Sequence, residues 1–284
     1  MEMPYDVPAV RTPLAPSQVA AQLHGLGVEQ GGVLVVHTSF RAVRPVVGGP
    51  AGLIDALQAA SGPDGTIVMP SWGDDDDVPF DPEVTPASAD LGVTAEVFRQ
   101  LPGVRRSAHP FAFAATGPHA ARIVSDPLPT PPHRLESPIG RAYELDARVL
   151  LLGVNHDANT TIHLAEVLAG VPYGVPKHCT VLEAWRPVRV DYIENDCCCA
   201  RFALVDGWLR EQGLQQEGTV GHAHARLARS RDVVRVVLGR LAREPLVFLH
   251  DPADGCQECN AARELIRPDP PAPKDQARAG PDRT

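Results

Sequence analysis

The 284-residue sequence predicts an α/β sandwich with a smaller C-terminal lobe. Three observations carry that expectation. The first half alternates short β-branched runs with helical stretches, each closed by glycine or proline, the pattern of layered α/β domains. The unit "ARVLLLGVNHDANTTIHLAEVLAG" passes from an apolar run through a polar loop into a helix. After Pro176 the sequence changes to strand-like alternation with a turn. Nothing resembling a linker or a repeat forces a second independent unit. We therefore expect one domain over residues 17–266, an extension over 1–16, and a disordered tail, rich in proline and charge, over 267–284.

Taken in order, "GGVLVVHTSF" reads as a strand running into a loop, and "GGPAGLIDALQAASGPDG" has helical spacing with glycine stops. "GTIVMPSW" is the next buried strand. A further strand over residues 149–154 precedes a helix from about Thr160, capped by Asn159 or Thr160, with Ile162, Leu164, Ala165, Val167 and Leu168 as its apolar positions. "TVLEAWRPVRVDYIEND" reads as two strands and a turn. "LVDGWLREQG" and "HAHARLARSRDVVRVVLGRLARE" read as helices, and "PLVFLH" as a last strand.

Composition narrows the function classes. With 26 basic and 35 acidic residues the formal charge is -9, which disfavours nucleic acid and anionic membranes and favours cationic partners. No stretch approaches the roughly 20 apolar residues of a membrane span. The opening "MEMPYDVPAVRTPLAP" lacks the basic start and apolar core of a leader, so the expected location is the cytoplasm. Thiols there stay reduced, and the six cysteines argue poorly for disulfides.

The cysteines leave three readings open: a metal site, buried inert thiols, or a redox pair. "GCQEC" sets Cys256 and Cys259 at a spacing that converges two thiolates on one ion. A tetrahedral zinc site would be completed from distant segments. The expected ligands are Cys256, Cys259, Cys199 and Cys179, with Cys197 as the alternative.

Two acidic and histidine-bearing segments carry the candidate chemistry. In "VRVDYIEND" the alternation puts Glu194 and Asp196 on one face, able to bind an amine or orient a histidine. "NHDANTTIHLAE" places His163 and Glu166 on one helix face beside a loop dense in hydroxyls and an amide, where open α/β sheets bind ligands. A neutral imidazole there suits proton abstraction, with donors near residues 159–161 facing developing negative charge. "VVHTSFRAV" and "RRSAHPFAF" have residue types suited to an anionic or thioester ligand. Neither is a nucleotide-binding fingerprint, and Ser39 lacks a nucleophile elbow. The run Asp74 to Asp77 is either a solvated loop or the rim of a polycation site.

Six blocks agree in order with a known family. "GGVLVVHTSFRAV", "GTIVMPSW", "RRSAHPFAFAATGP", "SPIGR", "LLLGVNHDANTTIHLAE" and "VDYIENDCC" together resemble the aminoglycoside 3-N-acetyltransferases, in the apramycin and gentamicin resistance branch, from about residue 17 to 265. The resemblance implies the antibiotic N-acetyltransferase α/β/α sandwich rather than the GNAT fold. It also implies acetyl transfer from acetyl-CoA to the 3-amino group of 2-deoxystreptamine. Carried onto this chain, it makes His163 the general base, with Glu194 and Asp196 orienting it or holding the amine. His37, Thr38, Ser39, Ser71, Arg106, Ser107 and Ser137 would line the coenzyme path, and Asp76, Asp77, Glu166 and Asn159 would face the drug. The partners implied are an aminoglycoside and acetyl-CoA, on a monomer or homodimer. The alternatives are a related N-acyltransferase for another amine and a metal-dependent hydrolase. Two positions depart from the family: Asn155 stands where relatives commonly have glycine, and Cys197 where close relatives have histidine. The second exchange would keep a zinc ligand.

Overall fold

The computed structural model describes residues 11–125, 130–195 and 197–266, so the proline-rich tail and Asp196 lie outside the described residues. In chain order the elements are α1 (Pro16–Leu26), β1 (Val33–Thr38), α2 (Phe40–Val43), α3 (Gly49–Ser61), β2 (Thr66–Pro70) and α4 (Val93–Arg99). There follow β3 (Arg105–Arg106), β4 (Phe113–Thr116), α5 (Ala120–Val124), α6 (Pro138–Glu144), β5 (Arg148–Leu152) and α7 (Thr161–Ala169). The last third adds β6 (Val175–Glu183), β7 (Arg186–Glu194), α8 (Leu204–Glu211), β8 (Gln215–Val220), β9 (Ala223–Arg229), α9 (Ser230–Leu241) and α10 (Gln257–Arg263).

Seven strands form one mixed sheet in the order β3-β4-β2-β1-β5-β9-β8. The three central strands are parallel, with β1 between β2 and β5. Their sequences are nearly continuous apolar runs because both faces are covered. Alternation assigns each residue to a face: Val33, Val35, Val149 and Leu151 pack with the α6, α7 and α9 side, while Leu34, Val36, Leu150 and Leu152 pack with α1 and α3. The result is the expected α/β/α sandwich.

The smaller lobe contains less of the C-terminal sequence than its alternation suggested. The hairpin β6-β7 forms a separate two-stranded sheet, closed by Ala184 and Trp185 at positive φ of 47° and 64°. Beyond it the chain returns to the main sheet through β8 and β9. Residues 223–229, expected to begin a helix, instead form edge-side strand β9, paired antiparallel to β5 and β8. Their alternation of buried Ala223, Ala225 and Leu227 with outward His224 and Arg226 is a period-two signal that the helix-forming arginines obscured. "PLVFLH" is a series of turns rather than a strand, held by the burial of Val247, Phe248 and Leu249. No helix among the described residues is long and apolar enough to cross a membrane.

Parallel strands β1 and β5 lie side by side, yet the chain leaves them on opposite faces. That makes the carboxyl ends of these strands a topological switch point, where a crevice opens. Thr38 and Leu152 are register partners at that edge.

Candidate functional site

The crevice is a cavity of about 400 Å³. His37 and Thr38 reach it from the end of β1, Trp72 from just past β2, and Thr160 and His163 from the start of α7. Gly153 makes the loop after β5 possible. It sits at φ 72°, and a Cβ there would lie 2.6 Å from Ala42 Cβ. Asn155, where relatives commonly have glycine, adopts ordinary extended geometry, and its Oδ1 accepts the His156 N–H at 2.8 Å. The loop therefore accommodates the asparagine without strain. Asn159 Oδ1 accepts the Thr161 N–H at 3.1 Å and so begins α7, while its Nδ2 lies 3.2 Å from His156 Nδ1. Both ends of this buried amide, expected to face the drug, bond within the loop.

His163 sits in the first turn of α7 and is 4% exposed. Its Nδ1 lies 2.8 Å from Glu166 Oε2, three residues on, and Glu166 is 1% exposed. The Tyr173 hydroxyl donates to the other oxygen, Glu166 Oε1. Burial and the adjacent carboxylate raise the Tyr173 pKa, so it stays a donor. A carboxylate accepts, so Nδ1 carries the proton and Nε2 presents its lone pair. The Nε2 atom lies 3.5 Å from Cys199 Sγ, and both residues line the cavity. Rings hold the imidazole from the sides: His133 stacks on it at 5.1 Å and Phe202 meets it edge-on at 4.8 Å.

Glu166, expected at the drug, thus has its Oε2 against His163 Nδ1. Glu194 ends β7 as a buried carboxylate; burial pushes the Cys179 thiol up to about 11, and the charges of Asp76 and Glu194 add to that rise.

The expected coenzyme residues divide. His37 and Thr38 are on the cavity wall, and Ser39 opens onto a neighbouring cleft of about 700 Å³. His37 is buried, its pKa is lowered to about 3 by desolvation and by His156, and its Nε2 lies 3.4 Å from Thr160 Oγ1. The Thr38 hydroxyl is buried with no hydrogen-bond partner among the described residues. Arg106, Ser107 and Ser137, by contrast, hold the fold. The Arg106 guanidinium donates to the carbonyls of Ser71, Pro82 and Thr85, Ser107 Oγ accepts the Phe113 N–H, and Ser137 Oγ caps α6 at Gly140. Ser71 is fully buried behind them. The Arg106, Ser107 and Ser137 side chains thus make internal bonds, whereas the buried Ser71 hydroxyl has no hydrogen-bond partner among the described residues.

The acidic loop packs against the hairpin. Asp77 Oδ1 lies 2.7 Å from His178 Nε2, and Thr180 Oγ1 donates to the Asp76 carbonyl at 2.8 Å. Burial raises the Asp76 pKa. The carboxylates that line the cavity itself are Asp90 and Asp157. Asp90 had no sequence signal, because only the turn into α4 carries it there.

The thiols also divide. Cys256 and Cys259 do converge, and they do so with Cys198 and His250, all four donor atoms lying within 4.8 Å of one another. Cys179 is excluded from this group because it is buried in β6 among Val181 and Tyr192. Cys199 faces His163, and Cys197 donates to the Asn195 carbonyl at 3.4 Å. The residues past Glu194 have left the strand, so strand alternation could not place them. His250 was hidden inside "PLVFLH".

A family model described as aminoglycoside 3-N-acetyltransferase matches residues 35–242. The aminoglycoside N(3)-acetyltransferase IV of Salmonella sp is 63% identical over 239 residues, covering 84% of this chain and 92% of that protein. The crystal structure of aminoglycoside acetyltransferase AAC(3)-IVa, as a histidine-to-alanine mutant in complex with a gentamicin, superposes with a TM-score of 0.89 at 60% identity, covering 91% of this chain and 100% of that one. The binary complex of AAC-IIIb with CoASH matches with a TM-score of 0.74 at 25% identity, over 82% and 97% of the two chains. With a buried imidazole-carboxylate pair at the switch point of the same fold, this chain belongs to the aminoglycoside 3-N-acetyltransferase family of acyltransferases.

Proposed function

We propose that this acyltransferase moves the acetyl group of acetyl-CoA onto the 3-amino group of the 2-deoxystreptamine ring of gentamicin- and apramycin-type aminoglycosides, with His163 as general base. The observation that carries the assignment of the base is the chain Tyr173–Glu166–His163, which ends in an imidazole on the cavity wall. Glu166 holds the Nδ1 proton. His163 Nε2 takes a proton from the substrate nitrogen as that nitrogen forms its bond to the thioester carbonyl carbon. The tetrahedral oxyanion then reforms the carbonyl, the carbon–sulfur bond breaks, and the proton passes to the leaving coenzyme A thiolate. The hydroxyls of Thr38 and Thr160 are the donors available to that oxyanion. The Thr161 N–H is already given to Asn159.

Charge supports both halves of the reaction. Asp90 and Asp157 face a drug that carries several ammonium groups. The 700 Å³ cleft adjoins the cavity at Val154 and bears Arg11, Arg41 and Arg226, a setting for the coenzyme phosphates. Acetylation removes one positive charge from the drug, which is the basis of resistance in this reading, and dependence on acetyl-CoA places the enzyme in the cytoplasm. A zinc ion at the thiol and imidazole cluster belongs to the same reading as a structural element, and no step of the transfer runs through it.

Regiochemistry tests the reading. The product of acetyl-CoA and gentamicin is expected to carry one new acetyl group on the 3-nitrogen by NMR. Acetylation at another nitrogen, or only of an unrelated amine, overturns it.

A further inference from the structure

We infer that Cys198, His250, Cys256 and Cys259 form a closed four-coordinate zinc site that clasps the C-terminal segment to the wall of the reaction cavity. The donor spacing carries the inference. Cys198 Sγ lies 3.7 Å from His250 Nδ1, and the same nitrogen lies 3.4 Å from Cys259 Sγ. A tetrahedral ion with zinc–sulfur bonds of about 2.3 Å and zinc–nitrogen bonds of about 2.0–2.1 Å sets sulfur and nitrogen about 3.5 Å apart and two sulfurs about 3.8 Å apart. The two sulfur–nitrogen separations match that geometry, and all three thiols and the imidazole, contributed by three separate parts of the chain, lie within 4.8 Å of one another. The His250 N–H, 3.4 Å from Cys259 Sγ, is directed at the sulfur as a donor supporting a metal-bound thiolate would be. The backbone around it is braced, because Arg263 donates to the His250 carbonyl.

Packing alone is a weak alternative. Among the described residues, the core that joins α10 to the body has four buried members, Tyr173, Leu249, Cys259 and Ala262, with partly buried neighbours that include Val171, Val175 and Ile266. Helix α10 has seven residues, too few for stable helicity by itself. A terminal segment with so little apolar burial gains from a metal staple, and among the described residues no disulfide supplies one. Four protein donors complete a tetrahedron and leave no position for substrate, so the ion is structural.

The clasp reaches the base by two routes. Cys198 precedes Cys199, whose sulfur meets His163 Nε2, and Tyr173 of the same small core donates to Glu166. This consequence rests on the acetyltransferase reading, whereas the metal site does not.

The test is metal analysis of the full chain purified without chelator from zinc-supplemented cells. About one zinc per chain is expected. Cys256→Ser and His250→Ala should each lose it, while Cys179→Ser and Cys197→Ser keep it. Should the ligand variants fail to fold, the metal-stripped wild type should bind one equivalent of cobalt(II) and show thiolate charge-transfer and tetrahedral d–d bands. Wild type without zinc and without those bands overturns the site, as does equal zinc loss in Cys179→Ser. The clasp is tested separately. Metal loss should lower Tm and kcat with KM little changed, and unchanged kcat overturns the link to His163 while the metal site stands.

Discussion

His163 Nδ1 and Glu166 Oε2 lie 2.8 Å apart across one turn of α7, both nearly sealed from solvent. The pair fixes the tautomer in which Nε2 can take a proton. His163→Ala should therefore lower kcat by about 10²- to 10⁴-fold, the range for loss of a general base. Glu166→Gln can donate to Nδ1 and favour the wrong tautomer, and should fall in the same range with little change in KM for either substrate. Tyr173→Phe removes one donor to Glu166 and should cost less. Steady-state kinetics of the three variants, with circular dichroism to confirm folding, checks this order.

Drug recognition should respond to the cavity carboxylates rather than to those packed on the hairpin. Asp90→Asn and Asp157→Asn should each raise KM for gentamicin by about 10-fold, equivalent to about 1.4 kcal/mol of lost binding, and leave KM for acetyl-CoA unchanged. Added salt should narrow the difference from wild type, because exposed charges are screened.

Arg41 in the larger cleft should act on the donor alone. Arg41→Ala should raise KM for acetyl-CoA several-fold, yet leave the rate with a truncated acetyl-thioester lacking phosphates unchanged. An equal defect with both donors would place the coenzyme phosphates elsewhere.

Stability should fall on mild acidification. His37 is held neutral in the fold, with its pKa lowered from 6.5 to about 3. Above pH 6.5 the imidazole is neutral in both states, and its effect is absent. Below it the unfolded chain binds a proton that the native state refuses, so stability is lost as pH drops from 6.5 toward 3. At pH 5 the loss amounts to about 2 kcal/mol, or a Tm drop of about 4–8 °C for a domain of this size. His109, whose pKa burial lowers to about 4, adds in the same direction. Replacing His37 by Gln should flatten the fall in Tm between pH 7 and pH 5, measured by calorimetry.

Where one period dominated a stretch, the fold was legible. The runs that became β1, β2 and β5 and the apolar faces of α3 and α7 were readable because burial forces those periods. The start of α7 was readable from its polar residues, since Thr160 is the N-cap and Asn159 Oδ1 accepts the Thr161 N–H beside it. Strand β9 was missed because its arginines and alanines favour helix locally, while pairing with β5 and β8 decides otherwise. At the site, helical spacing alone brought His163 and Glu166 together, but it could not say whether the carboxylate faced the base or the drug. That depends on Tyr173, seven residues away and placed by the turn after α7. Arg106 and Ser107 had the residue types for binding an anion, and their internal partners, distant in sequence or set by the strand pairing, had no local signature. Cys198 and His250 meet across 52 residues of chain, a contact with no local signature.

The most direct test of the account is thiol release from acetyl-CoA with gentamicin, followed for wild-type protein beside His163→Ala. Release that depends on the drug and falls by two or more orders of magnitude in the folded variant, within the range expected for a general base, is the predicted result. Release that survives in the variant at the wild-type rate would contradict the central claim that the imidazole held by Glu166 removes the proton from the attacking amine.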